Sequence, residues 1–317
     1  MRAVIFNKEL KLEKDYPMPS CKKGEVLIKT TMTGICNTDY EITLGYMGYK
    51  GVIGHEFVGI VEACEDKTLI GKRVVGDINC GCGECEWCKK GLHRHCPNRQ
   101  TLGIWKKDGC FSDYFTLPIK NLLVVPDNVS DKQAVFTEPL AAALEILEQV
   151  HIQPIQKVLV LGDGKLGIIT ALALNASGLD VTLVGKHKEK LEIAKNQGVK
   201  TFLLEDIDIR KEWDFVIEAT GSITGFETSV SLVKPRGILI LKSTIAASKE
   251  FNFSSLVVDE VTIVGSRCGR FQPALRMLEQ HKIDLTPLIS GIYDVENVIE
   301  AFETNKRKDT VKVLVKF

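Results

Sequence analysis

The chain has 317 residues, 44% hydrophobic and 26% charged, which suits one large or two ordinary globular domains and excludes wholesale disorder. Lys+Arg and Asp+Glu number 41 each, so the formal net charge is zero and the basic excess of a nucleic-acid or membrane-surface binder is missing. No apolar run approaches the roughly 20 residues that span a bilayer. The opening MRAVIF reads as a strand, with no h-region and no cleavage site, so a cytoplasmic location is expected.

The first third is β-rich. Residues 23–29 read as a turn and an alternating strand, and 58–62 and 73–75 continue in that style. Gly34, Gly45, Gly48, Gly51, Gly54 and Gly59 punctuate the region. The character changes near residue 138. A helix is expected over 139–150, where Leu140, Ala143, Leu144 and Leu147 fall at helical spacing. A short buried strand follows at 157–161, then a helix to about 176, a strand at 181–184 and a helix around 190–197. Strands at 214–218, 237–241 and 261–264 complete an alternation that marks an α/β, doubly wound parallel sheet. Helices near 273–280 and 295–304 and a terminal strand at 311–317 close the chain.

Gly162-Asp163-Gly164-Lys165-Leu166-Gly167 ends one of these strands and opens a helix, the context in which G-x-G-x-x-G binds a dinucleotide. Gly162 permits the tight turn, Gly164 lets a pyrophosphate approach the backbone, and Gly167 lets the helix pack close. An NAD site has an acid at the end of the second strand; here Gly185 stands there, followed by Lys186-His187-Lys188, with Lys190 close behind. A missing carboxylate and nearby cations favour a 2′-phosphate, so NADP(H) is expected over NAD(H). The alternative is a solvated basic turn that tolerates either cofactor.

Ten cysteines are many for a reducing compartment, and five of them, Cys80, Cys82, Cys85, Cys88 and Cys96, fall in one short stretch. Cys82, Cys85, Cys88 and Cys96 have the spacing of a closed tetrahedral zinc site, which stabilises a loop rather than doing chemistry. Cys80 is surplus and leaves the register open. Upstream, Cys36, His55 and Glu56 suit a catalytic zinc that keeps one position for water or substrate. Singly, they also read as a core thiol, a satisfied histidine and a solvated carboxylate.

Taken in order, G-I-C-x-T-D, G-H-E-F-x-G, the four-cysteine loop, E-P-L-A, the Gly-rich turn and the V-I-E-A-T-G strand end resemble the zinc-containing medium-chain dehydrogenase/reductase family along essentially the whole chain. The resemblance implies a GroES-like β-rich catalytic domain over 1–137 and 268–317, carrying both zincs. It also implies a Rossmann domain over 138–267, with the active site in the cleft between them. It makes Cys36 and His55 ligands of the catalytic zinc and Glu56 a neighbouring or exchangeable ligand. Glu138 is then the remaining ligand, in the pattern of the polyol, threonine and sugar branches, although an acid there also suits a helix start. Asp39 is expected to orient His55, and Thr38 to pass the proton outward. Glu41 stands where many members have the relay histidine, so a carboxylate replaces an imidazole at the outer end of the relay. Thr220 and Lys312 are expected at the cofactor, with a solvated strand-edge lysine as the other reading of Lys312.

The implied activity is a zinc-dependent hydride transfer between NADP(H) and an alcohol, polyol or sugar, or the matching carbonyl. The implied assembly is a homodimer or homotetramer, with no nucleic-acid or membrane partner. The alternatives are an NAD(H)-dependent member of the same family and a catalytically silent nucleotide-binding sensor. Tyr46, Tyr49, Ile78 and Trp105 are open to a substrate-lining role or to plain packing.

Overall fold

The computed structural model of the protein describes residues 1–244 and 250–317. Two compact units emerge: Met1–Glu138, Phe271–Gln280 and Ile289–Phe317 form the first, and Pro139–Arg270 and His281–Leu288 the second.

The first unit is built on a seven-stranded sheet. Strand Glu25–Gly34 runs through it, with Glu56–Cys64 along one edge and Tyr114–Pro118 and Lys312–Lys316 along the other. Val26, Ile28, Thr30 and Met32 are buried while Glu25, Leu27, Lys29 and Thr31 are more exposed, the two-residue period of a half-buried strand. The alternation stops at its end: Met32, Thr33 and Gly34 are all buried, where Lys312–Lys316 joins the sheet. Phe57 and Phe115 meet edge to face at 4.7 Å within the core that Val26, Ile28 and Val61 share. A second cluster gathers Ile35, Ile42, Ile53, Phe111, Val313 and Val315.

The second unit holds six parallel strands in the order Lys200–Leu203, Asp180–Gly185, Lys157–Leu161, Trp213–Glu218, Val233–Leu241, Thr262–Gly265. Numbered along the chain this is 3-2-1-4-5-6, the dinucleotide-binding order. Val158, Leu159, Val160 and Leu161 are all buried, as in a strand covered on both faces. Helix Lys165–Ala176 buries every residue from Gly167 to Leu174. Among the described residues no helix is long and apolar enough to cross a membrane.

Several features differ from the sequence reading, among them three that bear on the two units. Strand Lys200–Leu203 was not anticipated; it is short, partly exposed and at the sheet edge. Helix Asn37–Thr43 was not anticipated either. Residues 281–288, assigned with the β-rich domain, belong to the second unit. There Gln197 donates to the Asp284 carbonyl at 2.8 Å and accepts from the Asp284 N–H at 3.1 Å.

Candidate active site

Strand register builds the first site. Gly34, at the end of one strand, pairs with Glu56, at the start of the next. Two residues after Gly34 the chain reaches Cys36, which caps helix Asn37–Thr43. One residue before Glu56 stands His55, delivered by a turn at Gly54, whose φ of +96° and closeness to Phe111 leave no room for a Cβ. Cys36, His55 and Glu56 thus bring one donor atom each to within 4.8 Å of one another. His55 and Glu56 are 3% and 1% exposed. Burial of such a polar set is costly unless the groups are paired or hold a cation.

Asp39 serves two of the three. Its Oδ2 accepts the Cys36 N–H at 2.9 Å, and its Oδ1 lies 3.2 Å from His55 Nδ1. With Nδ1 turned to Asp39, Nε2 is the ring nitrogen left for a metal. Burial lowers the His55 pKa, but the charges of Asp39 and Cys36 outweigh it and hold it well above the ordinary histidine range in the metal-free protein. Thr38 Oγ1 lies 3.7 Å from Cys36 Sγ. Glu41, one helical turn on, is partly exposed and accepts from Asn37 Nδ2 at 3.4 Å.

Lys312 departs from the reading of a solvated strand-edge lysine. It is 1% exposed, and its ammonium pairs with Glu56 Oε2 and donates to the Ile35 carbonyl at 3.3 Å. It is not a solvated edge lysine, because a carboxylate as deeply buried as Glu56 needs a cation and Lys312 supplies it. Gly34 makes room for the pair: a Cβ there would lie 2.5 Å from Glu56 Oε2 and 2.7 Å from Lys312 Cε. Glu138 stands outside the compact triad, in the first turn of helix Thr137–Gln149. Burial pushes its carboxyl up to about 7, with His55 pulling it down and Glu56 pushing it up. Tyr49 and Ile78 are core residues, the Tyr49 hydroxyl donating to the Val52 carbonyl at 2.9 Å.

The cysteine loop forms a second cluster. Sγ separations are 3.5 Å for Cys82–Cys96, 3.7 Å for Cys85–Cys96 and 4.0 Å for Cys82–Cys88. A zinc tetrahedron with bonds of about 2.3 Å has edges of about 3.8 Å, so the four thiols fit that ion. Backbone N–H groups of Cys85 and Glu84, with help from Cys96, hold the Cys82 thiol down at about 6, ready as a thiolate. Cys80 is excluded from the cluster, and burial pushes its thiol up to about 11. His93 ties the loop to the sheet, with Nε2 2.9 Å from Asp77 Oδ2.

The second unit carries the Gly-rich turn. Gly162 has φ +121°, and a Cβ there would lie 2.6 Å from the Ala219 carbonyl. Gly164 caps helix Lys165–Ala176 and has no side chain of its own to cap it, and the space where its Cβ would stand is open. Lys165 and Leu166 open that helix partly exposed, while Gly167 is buried against the Gly162 carbonyl. An anion fits such a helix start. Buried Glu218 accepts from the Thr220 N–H at 2.7 Å and its hydroxyl at 2.6 Å, fixing Thr220 at the next strand end. Lys186 is exposed and His187 and Lys190 partly so, with Lys186 and His187 lining an open pocket of about 680 Å³.

Asp163 has a role that the Gly-rich motif alone does not assign. Its Oδ2 accepts from Lys186 N (2.7 Å), His187 N (2.6 Å) and His187 Nδ1 (3.0 Å). The signal was two paired oddities, an acid inside the Gly-rich turn and a glycine at 185.

Known proteins match both halves. Residues 22–127 match the alcohol dehydrogenase GroES-like domain, and 131–317, more than half the chain, match the glucose dehydrogenase C-terminus. The chain belongs to the zinc-containing medium-chain dehydrogenase/reductase family. Among medium-chain relatives, the sorbitol dehydrogenase of Halalkalibacterium halodurans is 28% identical over 95% of this chain and 94% of that protein. The starvation-sensing protein RspB of Escherichia coli K12 is 29% identical, covering 100% of this chain and 99% of its own. A solved structure of rspB from E. coli CFT073, complexed with NADH, superposes with a TM-score of 0.91 at 26% identity, covering 100% of this chain and 99% of that one.

Proposed function

We propose that the protein is a zinc-dependent oxidoreductase that moves a hydride between a nicotinamide cofactor and an alcohol, polyol or sugar, or the matching carbonyl. The observation that carries this reading is the convergence of Cys36, His55 and Glu56 within 4.8 Å, a sulfur, nitrogen and oxygen set that leaves one tetrahedral position open. Zinc bound there supplies Lewis acidity toward the substrate oxygen, and the nicotinamide supplies the hydride acceptor or donor.

The chain's own residues do the rest. Asp39 fixes the His55 tautomer and the Cys36 backbone. The Thr38 hydroxyl, close to Cys36, holds the substrate proton and hands it outward, with Glu41 as the outer acceptor. Lys312 neutralises Glu56 and governs how freely that carboxylate turns to the metal. Glu138 is the exchangeable carboxylate at the margin of the site. Cys82, Cys85, Cys88 and Cys96 hold a second zinc with no open position. Gly162, Gly164, Lys165, Leu166 and Gly167 cradle the cofactor pyrophosphate, and Thr220 stands by the nicotinamide half.

Relatives named sorbitol dehydrogenase, D-xylulose reductase and D-arabinitol dehydrogenase favour a polyol–ketose pair. Gly185 and the cations Lys186, His187 and Lys190 speak for NADP(H); the counterweight is Asp163. Ile263 in edge strand Thr262–Gly265 is 41% exposed, and Val257 and Val258 of helix Ser254–Val258 are 74% and 79% exposed, which supports a homodimer or homotetramer. Ten cysteines, none of them in a disulfide, support a reducing cytoplasm.

The test is metal content with turnover. The two donor clusters predict two zinc ions per chain. Nicotinamide absorbance should report oxidation of sorbitol, xylitol or arabinitol, lost on chelation and restored by zinc. Full turnover without metal would sink the zinc mechanism. Tight cofactor binding with no turnover on any alcohol, polyol or carbonyl would make the protein a sensor.

A further inference from the structure

We propose that Asp163 sets the choice between the two nicotinamide cofactors, and sets it in favour of NAD(H); this rests on the dehydrogenase reading above. In a sheet of this strand order, the carboxylate that bonds the adenosine ribose 2′-hydroxyl stands at the end of the second strand. Gly185 occupies that place, and read alone it suggests room for a 2′-phosphate. The space is not empty. A Cβ on Gly185 would lie 2.5 Å from both Cγ and Oδ2 of Asp163. The glycine admits a carboxylate arriving from the neighbouring Gly-rich turn. The acid has changed strands; it has not been lost.

The basic turn is also less available than its composition suggests. Asp163 is 8% exposed, and its Oδ2 draws in the Lys186 N–H, the His187 N–H and His187 Nδ1. Those are the donors a 2′-phosphate would recruit at this turn. The pocket against them is lined by Lys186 and Lys188 but also by Glu189 and Glu205, so its charge is mixed. A ribose hydroxyl can donate to a carboxylate. A phosphate cannot, and carries about −1.5 to −2 charge that a fixed carboxylate repels. Gly185→Asp is no test of this arrangement, because its Cβ would collide with Asp163 whichever cofactor is bound.

The test is equilibrium titration of NADH and NADPH, followed by nicotinamide fluorescence, with zinc-loaded wild-type protein and with Asp163→Asn. Wild type is expected to bind NADH at least ~10-fold tighter, the scale of one hydrogen bond to a charged group. Asp163→Asn keeps the shape and an acceptor oxygen but removes the charge. Its NADPH affinity should rise by ~10-fold or more while NADH affinity falls or stays level. Equal or tighter NADPH binding by wild type overturns the proposal. So does an unchanged ratio in an Asp163→Asn protein whose melting curve is cooperative. If that variant does not fold, the wild-type ratio decides alone. Binding of neither cofactor overturns the dehydrogenase reading itself rather than the cofactor choice.

Discussion

The cysteine loop and the Cys36 centre both gather metal donors, and they do so in opposite ways. The loop draws all its ligands from one short stretch, Cys82 to Cys96, through turns and a four-residue helix, and much of it is exposed. The Cys36 centre has buried His55 and Glu56 beside a half-buried Cys36, takes its donors from two strand ends, and is completed by Lys312 from a distant strand. A closed four-thiolate site needs only local spacing. A site that keeps one position open must hold its remaining donors rigid from outside, and that takes long-range topology.

The largest expected effect breaks the local half of this contrast. Cys96→Ser removes a fully buried ligand, and structural zinc sites are worth roughly 10–16 kcal/mol in small peptides. Metal analysis should show one zinc lost, with new proteolytic cleavage between residues 82 and 96; retention of both ions would refute the four-thiolate assignment. Next comes Cys36→Ala. Turnover should drop by ~10³-fold, about 4 kcal/mol of lost Lewis-acid stabilisation, while the melting temperature changes little. A large loss of stability instead would mean that this centre, too, is a structural staple.

Lys312→Met probes the distant support. Leaving Glu56 buried and unpaired should cost roughly 3–5 kcal/mol in urea titrations of the metal-free protein, and less once zinc offers Glu56 another partner. Equal losses with and without zinc would separate Glu56 from the metal. The smallest effect is Asp39→Asn, which should weaken zinc at the Cys36 centre ~10–100-fold and leave the cysteine loop's zinc untouched, read by competition with a chelator.

Legibility followed the same division. Cys82, Cys85, Cys88 and Cys96 could be read from spacing, and the alternation of the second unit from its apolar strands and helical periodicity. Strand Lys200–Leu203 could not, because a short edge strand lacks a buried face to impose a pattern. Helix Asn37–Thr43 starts at a cysteine, outside the usual capping residues, and Asn, Thr and Asp are weak helix formers. Lys312 was visible as a cation, but its partner Glu56 lies 256 positions away, and no local signal links them. Asp163 and Gly185 each looked unusual alone; only the register of two parallel strands explains them together.

The pairing of Lys312 with Glu56 also imposes an order in time. Strand Glu25–Gly34 and Glu56 leave the ribosome long before residue 312 is made, and the whole second unit is translated in between. At about 5–20 residues per second, the 256-residue interval lasts roughly 13–50 s. Throughout it, Met32, Thr33 and Gly34 lack their later strand partner and Glu56 lacks its ammonium. A nascent chain can therefore close its cysteine loop early but cannot finish its reactive centre until the last strand arrives, so a prematurely terminated product would carry Glu56 without the ammonium that pairs it.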